Sequence, residues 1–546
     1  MRGIIQILVF LSLTCFSSAA IKNKGWWKHT VFYQVYPRSF MDSNGDGIGD
    51  INGITSKLQH FVDIGIGAIW LSPIFMSPMV DFGYDISDFK DIDPIFGTMK
   101  DFEKLISAAK KLGIKVILDL VPNHTSDQHI WFEKSLAGIG KYKDYYIWKD
   151  GKNANRDPPN NWLSVFSGPA WTYNAARKMW YFHQFEYRQP DLNYSNPYVR
   201  AKMDDVIKFW LEKQVDGFRI DAVPHLFEND HLKDEPRSYD PNATPRDYSY
   251  LDHIYTKDDP RTYNLVQRWR QVMDDYANKH NEDEKVMMTE AYTSLVNTTK
   301  YYNYGSHVPF NFNFIMGATS LSTPRNFQRI IKDWLSHVPA GAAANWVMGN
   351  HDNSRTASRY PDRGDQMIML GMILPGVAVT YNGEEIGMLD KSDISWEDTQ
   401  DPQACNAGKE KYKIRSRDPN RTPFQWDSTK NAGFSKASRT WLPVHENHKQ
   451  LNLANQKLAN RSAYKVYKAL TTLRKTSIAL KSGTTIVKEL NDDKILCVGR
   501  VAENESLVLI MNFENNPQTL DFSSCATFFR NTVIKVASLR STHVEG

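Results

Sequence analysis

Two acidic residues end neighbouring strand-like segments, and together they could act on one bond in a shared cleft. The segment 217–221 ends in Asp221, and the segment 286–290 ends in Glu290. Residues two apart on a strand share a face, so Arg219 and Asp221 should point the same way. A guanidinium beside a carboxylate favours the ionised form, so we expect Arg219 to lower the pKa of Asp221 and leave a nucleophile. A structural ion pair is the alternative interpretation.

Glu290 could then serve as the proton donor of the pair. Retaining glycoside hydrolysis needs a protonated carboxyl about 5–5.5 Å from an ionised one, and neighbouring strands lie about 4.8 Å apart. Carboxylates near Glu290 would raise its pKa and keep it protonated around neutral pH. Asp352 follows another strand-like segment and adds a third carboxylate.

Eight apolar segments recur along the chain, and amphipathic stretches separate them. Continuous apolar runs are typical of parallel strands that are buried on both faces. Many of the runs end at a polar residue, where barrels of this kind build their sites. The pattern predicts an α/β fold, a (β/α)8 TIM barrel. Its predicted strands are 31–37, 68–73, 115–122, 217–221, 286–290, 308–312, 345–349 and 377–381.

Two regions depart from the barrel pattern. A long polar and aromatic stretch follows the third strand, and a loop of that length is usually a small domain or lid. Short strand-like runs near the C-terminus indicate an antiparallel β domain. We therefore expect a signal peptide at 1–20, the barrel at 21–123 and 194–476, an inserted subdomain at 124–193, and a C-terminal β domain at 477–546.

Four ordered motifs resemble those of the α-amylase family of glycoside hydrolases. A fifth resembles the motif of its oligo-1,6-glucosidase and α-glucosidase branch, and two flanking segments make the chain most similar to the insect maltases. The resemblance covers residues 26–510. The four motifs are 119–124, 217–221, 290–292 and 350–352, the fifth is 189–193, and the flanking segments are 36–40 and 421–426.

The resemblance implies a catalytic role for three carboxyl groups. Asp221 would be the nucleophile, Glu290 the acid/base, and Asp352 a group that stabilises the transition state. The implied activity is that of a retaining, exo-acting α-glucosidase, which releases α-glucose from the non-reducing end of α-1,4-linked oligosaccharides, with sucrose as a further expected substrate. The resemblance leaves an oligo-1,6-glucosidase, a sucrose-specific hydrolase and a transglucosidase as alternatives.

The resemblance also implies a pocket that holds the cleaved glucose. Tyr84 would stack on the sugar, Asp85 would bind its distal hydroxyls, and Arg421 would pair with Asp85 to close the pocket. Ala222 follows the nucleophile and resembles the α-1,4-selective members, since oligo-1,6-glucosidases of this branch usually have Val there. The implied lining residues are His124, Arg219 and His351.

The segment 42–50 carries oxygen ligands at the spacing of a calcium loop. Positions 1, 3, 5, 7 and 9 supply oxygens and position 6 is a glycine, although Gly53 replaces the bidentate Glu at position 12. We expect structural calcium there, with an unliganded polar turn as the alternative, and we expect no organic cofactor. The predicted ligands are Asp42, Asn44, Asp46, Ile48 and Asp50.

Composition and the N-terminal segment indicate which partners and which location to expect. The 66 basic and 62 acidic residues nearly balance, so neither nucleic acid nor an anionic membrane is an expected partner. A positive start, an apolar run and small residues indicate a signal peptide and hence secretion. No segment reads as a membrane span, which argues against the related amino-acid transporter heavy chains. The sequence gives no indication of oligomeric state.

Disulfide formation and N-glycosylation both depend on export. Cys497 and Cys525 could form a disulfide, or both could remain thiols together with Cys405. N-x-S/T sequons occur at Asn123, Asn193, Asn242, Asn297, Asn420, Asn460 and Asn504. We expect Asn242 to be a good glycosylation candidate, and Asn123 and Asn420, beside the predicted site, to stay bare.

Overall fold

The structure is a computed structural model, and it describes residues 20–526 and 533–541. Apart from Ala20, the predicted signal peptide lies outside these residues. The strands are β1 (Val31–Val35), β2 (Ala68–Leu71), β3 (Phe75–Met76), β4 (Asp88–Ile92), β5 (Lys115–Leu120), β6 (Trp148–Lys149), β7 (Trp171–Asn174), β8 (Met179–Phe182), β9 (Gly217–Ile220), β10 (Val286–Thr289), β11 (Val308–Pro309), β12 (Asn345–Val347), β13 (Val377–Tyr381), β14 (Thr484–Leu490), β15 (Ile495–Val501) and β16 (Ser506–Asn512).

The helices fill the intervals between the strands. They are α1 (Ile51–Ser56), α2 (Leu58–Asp63), α3 (Met99–Lys111), α4 (Ile130–Leu136), α5 (Lys152–Asn155), α6 (Pro197–Glu212), α7 (Arg261–His280), α8 (Leu295–Lys300), α9 (Asn313–Met316), α10 (Pro324–His337), α11 (Thr356–Arg359), α12 (Gly364–Ile373), α13 (Pro402–Ala407), α14 (Tyr412–Arg415), α15 (Leu453–Leu458), α16 (Ala463–Thr476) and α17 (Ile478–Ser482).

Eight parallel strands form the barrel, which confirms the predicted fold class. Their order is β11-β10-β9-β5-β2-β1-β13-β12, and all their pairings are parallel. The strands β1, β2, β9 and β10 are buried along their whole length. Burial on both faces explains why the sequence shows continuous apolar runs and no alternation.

Three of the surrounding helices begin at short polar side chains that cap them. Thr98 accepts a hydrogen bond from the Asp101 N–H at the start of α3, and Asp101 reciprocates in a capping box. Asn196 caps α6, with Pro197 at its first position, and Ser462 caps α16. Such caps satisfy N–H groups that have no partner inside the helix. The caps therefore define the residues at which α3, α6 and α16 start.

Residues 124–193 leave the barrel after β5 and form their own small layer. β8 lies between β6 and β7 in an antiparallel sheet. Trp162, Trp171 and Phe182 form an aromatic core beneath it. Phe166 extends from this layer to the barrel mouth, where the Arg417 guanidinium lies 5.1 Å from its ring. The insertion therefore forms one wall of the cleft.

The C-terminal strands β14, β15 and β16 form the predicted antiparallel sheet. Cys497 on β15 forms a disulfide with Cys525, while Cys405 is an exposed free thiol. Of the two alternatives that the sequence left open, the structure therefore shows pairing. Within residues 20–526 and 533–541, no helix combines the length and the apolar character needed to cross a membrane.

The sixth barrel strand is shorter than predicted, and a side chain completes the barrel beside it. The predicted strand 308–312 is only Val308–Pro309, because Pro309 has no N–H to donate to a neighbouring strand. The buried Asn345 of β12 spans the gap. Its amide donates to the Pro309 carbonyl (2.6 Å) and accepts from the Asn311 N–H (2.8 Å).

Replacing Asn345 by Leu should therefore weaken the barrel at this seam. Two buried backbone groups would lose their partners, at about 1–3 kcal/mol each. We expect a lower urea midpoint for Asn345→Leu, whereas Asn242→Leu, in an exposed loop, should stay within about 0.5 kcal/mol of wild type. Equal midpoints for the two variants would contradict a role of Asn345 in barrel closure.

Candidate active site

One buried guanidinium contacts three carboxyl groups at the C-terminal end of the barrel. Arg219 is 1% exposed. Its Nη1 lies 2.8 Å from Asp119 Oδ1 and also contacts Asp221 Oδ1, and its Nη2 lies 2.7 Å from Glu290 Oε1. The guanidinium also lies 5.0 Å from the Trp70 ring. A single cation thus holds three acids whose sequence positions are far apart.

The strand register brings these acids together. Arg219 on β9 pairs with Asp119 on β5 and with Met288 on β10. Asp221 donates its N–H to the Leu120 carbonyl (2.9 Å), and Glu290 donates its N–H to the Ile220 carbonyl (3.0 Å). The ladders therefore continue to the first residue after each strand and place Asp221 and Glu290 side by side.

Asp221 departs from the sequence expectation in its pKa. Burial raises the pKa of Asp221 to about 6, and the Arg219 charge offsets only part of that effect. The expectation that Arg219 would leave this pKa below its usual value is therefore wrong. Arg219 divides its charge among three acids, so desolvation of Asp221 dominates.

Glu290 is held in the protonated form more strongly than Asp221. Burial raises the pKa of Glu290 to about 8, the Asp221 and Asp352 charges add to the rise, and Arg219 opposes it. The Ala222 N–H donates to Glu290 Oε2 at 3.0 Å and fixes the carboxyl. Around neutral pH, Asp221 is thus ionised while Glu290 carries a proton, as a nucleophile and an acid require.

Asp352 lies in the opposite electrostatic environment. Its Oδ1 contacts Arg421 Nη2 (2.9 Å) and Arg417 Nη1 (3.1 Å). Although burial opposes it, the charges of Arg417 and Arg421 hold the pKa of Asp352 well below its usual range. Asp352 therefore stays ionised and offers a fixed negative charge to a developing cation.

His351 and Tyr84 form an ordered wall of the pocket. Their rings are parallel at 5.4 Å, and the Tyr84 hydroxyl lies 2.7 Å from His351 Nε2. Gln34 Nε2 donates to His351 Nδ1 at 2.8 Å, so Nε2 carries the proton. The Tyr84 hydroxyl also donates to Asp119 Oδ2 (3.2 Å). Burial lowers the pKa of His351 to about 3, which keeps the ring neutral.

His124 lies beside this wall and is fixed from behind. Its Nδ1 lies 2.9 Å from Asn123 Oδ1, and its Nε2 lies 3.0 Å from the Tyr84 carbonyl. The Asn123 amide donates to Asp191 at 3.2 Å, which links two of the recognised motifs. Burial lowers the pKa of His124 to about 4. The structure thus brings His124 next to Tyr84, whose ring stacks on His351.

The predicted pair of Asp85 and Arg421 is not formed. The Asp85 carboxylate accepts hydrogen bonds from Ser77 Oγ and from the N–H groups of Val80 and Asp81. Its hydrogen-bond partners therefore all come from its own loop. Arg421 instead contacts Asp352 and donates to the His351 carbonyl. Asp85 is fully buried and stabilises the loop that carries Tyr84.

The pair that closes this end of the pocket is Asp81 with Arg417. Asp81 Oδ1 lies 3.0 Å from Arg417 Nη2, which also contacts Asp401 at 2.7 Å. Neither Asp81 nor Arg417 was among the predicted site residues. The signal was ambiguous, because the two acids and the two arginines are each four positions apart, so spacing alone could not decide which acid meets which arginine.

An unusual backbone conformation aims Asp81 and Tyr84 at the site. Phe82 has φ 50°, a left-handed conformation that is uncommon for a residue with a side chain. Its ring packs 5.2 Å from Trp441 and 5.3 Å from the Arg38 guanidinium. Strain of this kind persists only where the surroundings enforce it. The segment 430–441 therefore contributes to the pocket through Trp441.

Ala222 has the same type of conformation. Its φ is 45° and its ψ is 37°, and its N–H holds Glu290. A β-branched residue is strained in that region. The predicted specificity position is thus coupled to the acid as well as to the space beside Asp221.

The geometry agrees with comparisons to known proteins. The model of the α-amylase catalytic domain matches residues 34–483. This chain belongs to the α-amylase family. It is 50% identical to Maltase 1 of Drosophila virilis over 95% of this chain and 84% of the relative. It is 49% identical to the alpha-glucosidase of Apis mellifera over 90% and 86%, respectively.

A solved structure supports the same family. The alpha-glucosyl transfer enzyme XgtA superposes with a TM-score of 0.82 and 32% sequence identity, and the match covers 89% of this chain and 91% of that chain. The α-amylase family resemblance inferred from the motifs is therefore confirmed.

The loop 42–50 of this family member forms a ladder of turns. Asp42 accepts from the N–H groups of Asn44 and Gly45, Asn44 from that of Asp46, and Asp46 from that of Ile48, at 2.7–3.0 Å. Asp50 caps α1 by accepting from the Gly53 N–H. Across the described ranges, no group of three or more His, Cys, Asp or Glu side chains is placed to hold a metal ion.

The two shifted carboxyls predict a bell-shaped pH dependence of kcat/KM. Activity should rise with pH through about 6, as Asp221 loses its proton, and fall through about 8, as Glu290 loses its own. Because the two groups interact, the measured values belong to the pair. Initial rates on maltose across pH check this, with Asp205→Asn, a change of an exposed carboxyl, as control. A rate that changes in only one direction with pH would contradict the assignment.

Proposed function

We propose that this chain is a retaining, exo-acting α-glucosidase. The observation that carries the proposal is the set of three acids around Arg219, in which a protonated Glu290 lies beside an ionised Asp221. The family membership and the maltase relatives support the same enzyme class. Small neutral oligosaccharides are the corresponding substrates.

The proposed reaction begins with attack on the anomeric carbon. The Asp221 carboxylate forms a bond to that carbon while Glu290 gives its proton to the departing glycosidic oxygen, so a glucosyl ester forms and the leaving sugar exits as an alcohol. Glu290 then removes a proton from water, which attacks the same carbon and frees Asp221. Two inversions return the α-anomer.

The end of the pocket accounts for exo action. Asp81 and Arg417 meet behind the Tyr84 and His351 wall, and Phe166 covers Arg417 from the inserted layer. A chain that continued beyond the bound glucose would meet this ion pair. We infer that only a non-reducing terminal glucose fits.

Glucosyl transfer to a sugar acceptor is the second candidate function. The likeness to an alpha-glucosyl transfer enzyme favours it, because the same glucosyl ester can be intercepted by a sugar hydroxyl in place of water. Sucrose is a further candidate substrate, because its glucose is α-linked. The product mixture from maltose separates these outcomes.

Asp221→Asn should abolish release of α-glucose. Initial rates on maltose, isomaltose and sucrose, with NMR of the first glucose anomer, test the proposal. We expect α-glucose from wild type and from the control Asp205→Asn. β-Glucose as the first product would overturn the retaining mechanism, and absence of turnover on all three sugars would overturn the enzyme class.

Ala222→Val should shift linkage preference towards α-1,6 bonds. The added methyl groups narrow the space beside the scissile bond and strain a left-handed residue that holds Glu290. Discrimination of this size is worth about 1–3 kcal/mol, so the ratio of kcat/KM for maltose over isomaltose should fall at least about tenfold. An unchanged ratio would remove Ala222 as a specificity residue.

We propose that the loop 42–50 binds structural calcium. The support is the donor set of the sequence, with oxygens at loop positions 1, 3, 5, 7 and 9 and Gly47 at position 6. Asp42, Asn44, Asp46, Asp50 and the Ile48 carbonyl would hold the ion. Calcium would brace the loop against the segment 430–441, because the Trp441 N–H donates to the Gly47 carbonyl.

Calcium removal should then lower thermal stability. We expect a chelator to lower the Tm of wild type and to leave Asp46→Ala unaffected, because that variant would have lost the site already. Metal analysis of the purified protein gives the stoichiometry. A wild-type Tm that does not respond to chelator, together with absence of bound calcium, would show that the loop is a plain polar turn.

We also propose that the chain is exported and glycosylated. The disulfide of Cys497 and Cys525 supports an oxidising compartment. Asn242, Asn460 and Asn504 are exposed, whereas Asn123 and Asn420 are buried. The mass lost on enzymatic deglycosylation of protein collected from the culture medium tests both points, and sugar on the buried pair would contradict the fold around them.

A further inference from the structure

The loop 226–260 joins the turn after the nucleophile to α7. Two contacts connect it to the cleft. The Asp258 N–H donates to the Pro224 carbonyl (2.8 Å), just after the nucleophile. The backbone of Glu235 exchanges two hydrogen bonds of 2.8 Å with the Asn161 side chain of the inserted layer. The conformation of this loop therefore affects the nucleophile turn and one wall of the cleft.

A buried histidine connects distant parts of the loop. His253 Nδ1 lies 2.7 Å from Glu235 Oε2, and its Nε2 lies 2.7 Å from the Tyr248 carbonyl oxygen. Its ring also stacks on the Tyr248 ring, with centroids 3.5 Å apart. The Glu235 carboxyl accepts further hydrogen bonds from the Thr256 hydroxyl (2.9 Å) and the Tyr255 N–H (3.2 Å). The side chains of His253 and Glu235 are only 9% and 0% exposed.

The two contacts of the His253 ring require an extra proton. A carboxylate and a carbonyl oxygen both accept hydrogen bonds, whereas a neutral imidazole has only one N–H group. Both contacts are therefore satisfied when the ring is doubly protonated, or when a neutral ring lies beside a protonated Glu235. In either form the pair carries one proton more than a neutral ring with an ionised carboxylate. Loss of that proton would leave a nitrogen lone pair facing an oxygen in a buried site, which is costly.

Three other titratable groups lie within electrostatic range on the nucleophile side, namely His225, Lys257 and Asp258. Burial and the Lys257 charge hold the pKa of His225 well below its usual range, so that ring stays neutral. Asp258 accepts a hydrogen bond from the Thr293 hydroxyl. Within residues 20–526 and 533–541, Glu235 is the only carboxyl group in contact with the His253 ring.

Two acids of the loop have partners on neighbouring elements. Asp247 pairs with Arg415 of α14 at 2.8 Å, and Asp234 pairs with Lys152 of the inserted layer at 3.4 Å. Their charges are thus matched by groups other than the His253 ring.

We propose that His253 and Glu235 form a proton-dependent pair that holds the loop 226–260 against the nucleophile turn and the inserted layer. The closed loop binds a proton that the loosened loop does not need. Its stability is therefore present at lower pH and is lost as the pH rises. Both are positioning residues, because they act on the cleft through the loop. The inference goes beyond the proposed α-glucosidase function, and only its kinetic readout rests on that function.

Glu235→Gln tests the proton count directly. The amide of the variant can donate to Nδ1 of a neutral ring, while the ring Nε2–H still donates to Tyr248 and the amide oxygen still accepts from Thr256. The same contacts then form without the extra proton. This variant should therefore keep the loop closed at a pH at which the wild-type loop loosens.

Hydrogen exchange with mass spectrometry measures the loop at about pH 5.5 and about pH 8.5, on either side of the usual titration range of histidine. Rates are corrected for the intrinsic pH dependence of exchange, and peptides from β14, β15 and β16 report global stability. In wild type, protection in the loop should fall about tenfold at the higher pH, the effect of one lost hydrogen bond. Glu235→Gln should keep its protection, and His253→Gln should show low protection at both pH values.

The control is His337→Gln, which changes an exposed histidine at the end of α10 and should behave as wild type. Wild-type protection that does not change with pH would overturn the proposal. The same holds for an equal loss in wild type and Glu235→Gln, or for a pH response that persists in His253→Gln.

The ratio of the wild-type KM to the Glu235→Gln KM for maltose, taken at the same pH, measures the effect on the cleft. Ionisation of Asp221 and Glu290 is common to both proteins and cancels in the ratio. We expect equal values in acid and a severalfold rise of the ratio above neutral pH. A constant ratio would overturn the link between the loop and the cleft. Absence of maltose turnover by wild type would remove the α-glucosidase function, whereas the exchange experiment would still decide on the pair.

Discussion

The burial of one guanidinium among three carboxyl groups is the constraint on which the site depends. Arg219 supplies one positive charge to Asp119, Asp221 and Glu290, and all four side chains are largely buried. Three ionised carboxylates around a single buried cation would be strongly unfavourable, so one of the acids has to keep its proton. The environment of each acid decides that this is Glu290. The division of labour between nucleophile and proton donor thus follows from electrostatics.

The barrel holds Arg219 and the three acids in this arrangement. The strands β5, β9 and β10 align the acids through backbone register, and Asn345 bridges the seam where Pro309 cannot. Left-handed residues occur at Phe82, which follows Asp81, and at Ala222, which follows Asp221. Distant packing, from Trp441 for example, enforces them. Backbone strain, which lowers the stability of the fold, is therefore located at residues that position the site.

Much of this could be read from the sequence, because buried parallel strands and their polar ends leave strong patterns. The fold class, the strands around Asp221 and Glu290 and the C-terminal sheet are confirmed. Two expectations were wrong for physical reasons. Spacing could not distinguish Asp81 from Asp85 or Arg417 from Arg421 as the pair that closes the pocket. A motif also does not show how many acids share Arg219, so the direction of the Asp221 pKa shift was not predicted correctly. The short sixth strand depends on a side-chain bridge from a segment far along the chain.

The most direct test of the account is to trap the glucosyl ester and locate it. A fluorinated α-glucosyl fluoride, whose second step is slow, should label the protein once, and peptide mass spectrometry should place the label on Asp221. The labelling rate should depend only weakly on the protonation of Glu290, because fluoride can leave without receiving a proton from an acid. A label on Glu290 or Asp352, or an active protein that never accumulates one, would contradict the division of roles that Arg219 imposes.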